Sequence, residues 1–268
     1  MTSLEEAREF EAPAFCATRS DAGTERKDNE DACGAYVESE AHVVVAVADG
    51  VSGEEGAAFA SRTAVDVTLK MYRESPKEWG PAKRLNRAVQ QANIQIHDRT
   101  LIVPELRRMA TTLTAIVLDG LTVHAAHVGD TRLYSVRGMD IVQRTKDHSV
   151  AGRKFWRSAR AAKDDPDRSL LTRSLGRDLI VAVDRITFSV ARGDVLVICS
   201  DGLYTVMEEQ EIAKIVSTID APDACGALIE SANARGTADN LTAAVVQVTA
   251  DPPPSAPGPW SRLLSRLR

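Results

Sequence analysis

The chain has 268 residues, a formal net charge of −5 and 44% hydrophobic residues. That acidic balance excludes a generic nucleic-acid binder, whose affinity rests on basic surface, while the apolar fraction suffices for a globular core. No stretch reaches the roughly 18 to 20 apolar residues of a membrane helix, and the opening residues lack the basic start and apolar segment of a secretory signal.

Residues 1–13 read as an acidic leader, and a folded core is expected over 14–249. A first strand is expected over 14–19, then a polar stretch to Glu30, and then a hairpin of strands 31–37 and 43–48 around a polar tip at 38–40. The second arm, VVVAVA, is too short to span a bilayer and too apolar to face water, so it reads as a buried central strand. Two amphipathic helices follow, over 54–72 and 81–99, divided by Pro76 and Gly80 and expected on one face of the sheet. Short strands over 111–118, 121–128, 132–136 and 141–144 are separated too tightly for parallel crossovers, so they are expected to form antiparallel hairpins. Residues 147–171 form a polar insert that reads either as a solvated helix and loop or as a flap over a site. Strands over 181–190 and 195–199, helices over 208–219 and 222–234, and a strand over 242–248 complete the core. A Pro-rich linker then leads to Trp260, Leu263, Leu264 and Leu267 on one helical face, with arginines on the other positions. Segment 250–268 is thus a linker and tail that either packs on the core or docks weakly, through 260–268, to a membrane surface or partner. Cysteines 16, 33, 199 and 225 include no Cys-x-x-Cys pair and read as reduced, mostly buried thiols of a cytoplasmic protein.

Acids recur at the ends of apolar strands. Asp49-Gly50 closes the central strand, Asp201-Gly202 follows VLVIC, Gly129-Asp130 follows VHAAHV, and Asp239 precedes LTAAVVQV. Taken singly, each is an ordinary turn; their recurrence points to one shared site. Carboxylates grouped without a His-Cys set suit a hard divalent ion, Mn²⁺ or Mg²⁺. Two such ions about 3.5 to 4 Å apart can activate a bridging water and hold a phosphoryl group for in-line attack. Asp49 suits the bridging position, with Glu30, Asp201 and Asp239 as terminal ligands. Arg26, four residues before Glu30, can grip a phosphate bidentately.

The ordered set Arg26-x-x-Asn29-Glu30-Asp31, Ala48-Asp49-Gly50, Met109-Ala110-Thr111-Thr112-Leu113, Val128-Gly129-Asp130-Thr131-Arg132, Asp147-His148-Ser149, Leu171-Thr172-Arg173-Ser174-Leu175-Gly176, Cys199-Ser200-Asp201-Gly202-Leu203 and Asp239-Asn240 resembles the metal-dependent protein phosphatases, the type 2C serine/threonine phosphatases, in their bacterial form. The match runs from about residue 14 to 248. The resemblance implies an α+β fold: a central β-sandwich of two antiparallel sheets flanked by helix pairs, four layers in all. It implies that Asp49 bridges two metals, that the Gly50 carbonyl is a ligand, and that Asp201 and Asp239 hold the first ion. Glu30 then helps hold the second, Arg26 binds the substrate phosphate, and Asp130 belongs to a third, weaker metal position. The insert over 149–171 takes the place of the family's flap. The chain departs from the family at Val51, where some relatives carry a His that protonates the leaving group, at Ser52 in place of a loop glycine, and at Ala110 in place of the usual Gly.

The expected function is hydrolysis of phosphoserine and phosphothreonine in proteins by a metal-bridging water or hydroxide, opposing a protein kinase. The competing reading is a pseudophosphatase that binds phosphopeptides as a scaffold.

Overall fold

A residue run with no polar alternation must be covered on both faces, and the apolar run after His42 is. In a computed structural model of the protein, which describes residues 15–51, 56–154, 167 and 170–249, it forms β3 (His42–Asp49), buried throughout from Val43 to Ala48. Among the described residues it lies second in a five-stranded antiparallel sheet ordered β2 (Asp31–Ser39), β3, β4 (Leu113–Asp119), β5 (Thr122–Val128), β8 (Asp184–Ser189). A second five-stranded antiparallel sheet is ordered β1 (Cys16–Asp21), β10 (Leu241–Gln247), β9 (Val195–Cys199), β6 (Arg132–Arg137), β7 (Asp140–Gln143).

Side chains of β3 alternate between two cores. Val43, Val45 and Val47 meet Leu196, Ile198 and Val246 of the facing sheet. Val44, Ala46 and Ala48 point the other way, onto α1 (Ala57–Glu74) and α2 (Pro81–Ile102). On the outer face of the second sheet, α4 (Asp201–Tyr204), α5 (Glu209–Val216) and α6 (Ala221–Asn233) enclose a third core with Val197, Ala243 and Val245. The result is the expected α-β-β-α layering. A short α3 (Val150–Lys154) begins the insert.

Several expected boundaries move. The strand expected over 181–190 starts at Asp184, because the preceding residues leave the sheet for α2: Gln90 Nε2 donates to Val181 O, and Asn93 Nδ2 to Asp178 O and Leu179 O. Thr111 belongs to no strand and makes isolated bridges to Gly50 and Leu175. The helix expected over 54–72 is described from Ala57, residues 54–55 lying outside the described residues, and the helix expected over 81–99 runs on to Ile102. Expectations for the leader over 1–13, the tail over 250–268 and most of the flap over 149–171 also lie outside the described residues. Cys16, Cys199 and Cys225 are buried and Cys33 is half-buried, all four as free thiols.

Candidate active site

Antiparallel pairing brings the acids to one end of the sandwich. Asp31 opens β2 and Asp49 closes β3, and the register sets them directly opposite each other. Side chains so paired stand about 4.5 to 5.5 Å apart at Cβ, where like charges oppose folding. From the second sheet, Asp201 follows β9 and Asp239 precedes β10, while Asp130 lies in the turn between β5 and β6. Ser200 Oγ donates to Asp31 Oδ2 at 2.7 Å, joining the two sheets at this end.

The loops are held by main-chain contacts. Thr111 Oγ1 and Thr112 N both donate to Asp49 O at 2.8 Å, and Asp49 N donates to Thr112 Oγ1 at 2.9 Å, so the 109–113 motif fixes the backbone that carries Asp49. Asn240 Oδ1 accepts from Glu30 N at 2.9 Å, and its amide nitrogen donates to Ala22 O and Asp28 O, tying the Arg26 loop to β10. Gly202 lets these loops touch, since a Cβ there would stand 2.1 Å from Asn240 O. Gly50 N donates to Glu30 O at 3.0 Å, placing the Gly50 and Glu30 backbones side by side. Arg26 lies at the rim, its Nη2 at 3.2 Å from Asp239 and its Nε donating to Ala238 O.

Among the described residues acids gather here, with Arg26 at Asp239 and Arg132 beside Asp130 offsetting them in part. Burial first, and then Asp31, Asp201, Asp130 and Asp239, hold the Asp49 carboxyl well above the ordinary range. Burial, with Asp201 and Asp239 behind it, pushes Asp31 up to about 7 despite hydrogen bonds from Ser200 and Thr242. Burial raises Asp130 as well, reinforced by Asp201 and Asp147 and opposed by Arg132. Among the described residues no three of these side chains already stand in metal-ligating geometry. The donor set nonetheless fits a hard divalent ion: it is all-oxygen, partly desolvated and mutually repelling, and added positive charge would let the carboxylates ionise together.

Of the residues singled out from the sequence, Asp49, Asp130, Asp201 and Asp239 fall within one electrostatic cluster, with Gly50, Glu30 and Arg26 on its adjoining loops. Sequence reasoning treats Asp31 only as a motif residue: counting back from the Ser39–His42 pair at the tip would set it opposite Gly50, and the irregularity between Val37 and Ser39 brings it opposite Asp49. It also gives no role to Ser200 or to the Thr111–Thr112 clamp; short hydroxyl residues beside an acid carry no pattern of their own.

The chain matches the model of the protein phosphatase 2C family over residues 23–243. It is 31% identical over 242 residues to a serine/threonine phosphatase stp of Listeria welshimeri, covering 85% of this chain and 94% of that protein. The fold superposes on the serine/threonine phosphatase PstP of Mycobacterium tuberculosis with a TM-score of 0.77 and 28% identity, covering 87% of this chain and 98% of that one. A PstP catalytic domain in complex with two manganese ions matches at 0.73 and 27%, covering 87% and 97%. These relatives are named as phosphatases, so the scaffold reading finds no support among them. With the motifs, the two-sheet fold and the acid cluster in agreement, the chain belongs to the protein phosphatase 2C family and is a bacterial-type protein-serine/threonine phosphatase.

Proposed function

We propose that the chain hydrolyses phosphoserine and phosphothreonine monoesters in proteins with two Mn²⁺ or Mg²⁺ ions, opposing a protein kinase in the cytoplasm. Asp49, Asp201, Asp239, the Gly50 carbonyl and Glu30 are the residues that would hold the pair, with Asp130 at a third ion. When bound, the divalent ions supply an acidified water as nucleophile and Lewis acidity toward the phosphoryl oxygens. One observation carries this reading: acids from both sheets converge on Asp49, and Arg26 at Asp239 and Arg132 beside Asp130 offset them only in part. The PstP relative with two manganese ions supports the same count.

The protein's own groups do the rest. Ionised carboxylates would repel a phosphate dianion, so substrate can approach only a neutralised cluster, and Arg26 at its rim supplies the guanidinium for phosphate oxygens. Thr111 and Thr112 fix the main chain of Asp49, the residue that would hold both ions, so its backbone is set in place before they bind. Val51 follows Gly50 and carries no proton, so the leaving oxygen takes its proton from water rather than from a side chain there. The catalytic unit spans 14–249, and the tail over 260–268 serves weak docking to a membrane or partner.

The direct test is hydrolysis of a phosphothreonine peptide across an Mn²⁺ titration with a chelator control. Turnover should rise with Mn²⁺ and vanish in chelator. Full turnover in chelator, or tight peptide binding with no turnover in saturating Mn²⁺, would sink the proposal. Removal of residues 251–268 should leave turnover of a small aryl phosphate unchanged; its loss would show that the tail supports the core.

A further inference from the structure

We propose that His148 is a positioning residue for Asp130, acting through the backbone of Gly129. This inference rests on the metal-site reading above and assigns a task to a histidine that the reading leaves idle.

His148 grips Gly129 from two sides. Gly129 N donates to His148 Nδ1 at 3.1 Å, and His148 N donates to Gly129 O at 2.7 Å. The first bond requires an unprotonated Nδ1, so the proton of the neutral ring lies on Nε2, which faces Asp184 Oδ2 at 3.1 Å. Arg173 Nη1 holds the same carboxylate through Oδ1 at 2.5 Å. His127 packs on the ring with centroids 4.6 Å apart and is itself fixed by Thr114 Oγ1 at 2.9 Å and Lys146 O at 3.1 Å. The ring of His148, 3% exposed, is therefore set by the Gly129 N–H at Nδ1 and by the His127 face, while Nε2 lies within ion-pair distance of Asp184 without a hydrogen bond.

Gly129 has little freedom of its own. Its φ is +107°, and a Cβ would stand 2.5 Å from Thr112, whose main chain in turn holds Asp49. Thr112 on one side and His148 on the other thus lock the peptide that leads into Asp130. That matters because Asp130 faces Asp201 and Asp49, and like charge drives such carboxylates apart. A carboxylate kept among others in the absence of a cation must be held by its backbone, and the His148 clamp on Gly129 holds it. Groups one step removed from a metal ligand set its aim, and their loss typically costs about ten- to a hundredfold in metal affinity.

The test is a double-mutant cycle read by calorimetric titration of Mn²⁺ into the chelator-stripped full chain, with thermal unfolding recorded alongside. Asp130→Asn defines the share of binding that needs Asp130. His148→Ala should weaken that share about ten- to a hundredfold. His148→Asn, whose side-chain oxygen stands near the Nδ1 position, should restore most of it. Adding His148→Ala to Asp130→Asn should cost nothing further, because coupled residues are not additive. An equal extra loss in the double variant, or unchanged affinity in His148→Ala, overturns the proposal. Should His148→Ala fail to fold, Asp184→Ala removes the carboxylate that faces Nε2 while keeping the ring, and in the same cycle a coupled loss supports the clamp and an additive or absent one overturns it. If the wild type takes up no Mn²⁺, the metal-site reading falls; if Asp130→Asn leaves the isotherm unchanged, the third-ion assignment alone falls; in both cases the positioning role falls with it. An Asp130-dependent isotherm indifferent to His148 refutes the positioning role alone.

Discussion

Asp147 and Asp130 are both buried, both carboxylates and both neighbours of Arg132, yet their surroundings differ in kind. Asp147 receives Arg132 bidentately, with Nη2 to Oδ2 at 2.7 Å and Nε at 3.1 Å from Oδ1, while the guanidinium lies over the Tyr204 ring at 3.7 Å and donates to Tyr134 Oη. Asp130 instead faces other acids: burial and Asp201 raise it, and Arg132 offsets this only in part. A buried pair answered within the chain supports the fold. A buried acid answered by other acids keeps its charge only if something from outside supplies the opposite sign. The first arrangement is architecture, and the second is a receptor.

The comparison breaks most sharply at Asp49. In Asp49→Asn, turnover of a phosphopeptide in Mn²⁺ should fall by more than about a hundredfold, beyond the range for losing an outer partner. The same change should raise the melting temperature of the chelator-treated protein by a few degrees, since about 1 kcal/mol of relieved repulsion corresponds to about 2 to 4 °C in a chain of this size. Opposite signs for activity and metal-free stability mark a receptor. Calorimetry showing a lower melting temperature would instead put Asp49 in the first class.

Arg132 should give the reverse. Arg132→Met leaves Asp147 buried without its partner, at a cost of about 3 to 5 kcal/mol, so the melting temperature should drop on the order of 10 °C with or without Mn²⁺. Adding Asp147→Leu should recover most of that drop, because an apolar pair of similar volume replaces a matched ion pair at little cost. No recovery would mean that Arg132 acts mainly on Asp130, and the two regions would then be one. At the rim, Arg26→Ala should lower kcat/KM about ten- to a hundredfold, as expected when charge-assisted hydrogen bonds to phosphate are lost, and should move the melting temperature little. An unchanged kcat/KM would leave Arg26 as a partner of Asp239 only.

How far these regions are legible along the chain follows from what each signal depends on. Apolar strands ending in acids can be read directly, so Asp49, Asp130, Asp201 and Asp239 stand out without coordinates. Placing Asp31 opposite Asp49 requires the hairpin register, with its irregularity between Val37 and Ser39. The four-residue α4 is invisible because one turn carries no periodicity. Val181 looks like strand because it is apolar, but its burial comes from α2 through the loop that Gln90 and Asn93 hold. His148 and Arg132 stand in their motifs without tasks, since the bonds that define them cross from one segment to another: His148 to Gly129, and Arg132 to Asp147.

The smallest effect sharpens the comparison from the far end of the sandwich, where β6 ends and β9 begins. Asp194 there accepts Arg137 Nε and Nη2 at 2.7 Å each and also the Ala191 N–H at 2.7 Å. The Arg137 bond first of all holds its carboxyl below the ordinary range, with burial working against it. A depressed carboxyl adds stability that is whole above the unfolded value of 3.8 and is lost as pH falls through the lower folded value. Asp194→Asn should therefore lower the melting temperature at pH 7 by less than Arg132→Met does, because Arg137 lies largely in solvent. The difference between wild type and variant should shrink as pH drops from 5 toward 3. Phosphopeptide turnover should not change, and a gap in melting temperature that stays constant with pH would mean that the aspartate acts through the Ala191 turn by shape rather than by charge.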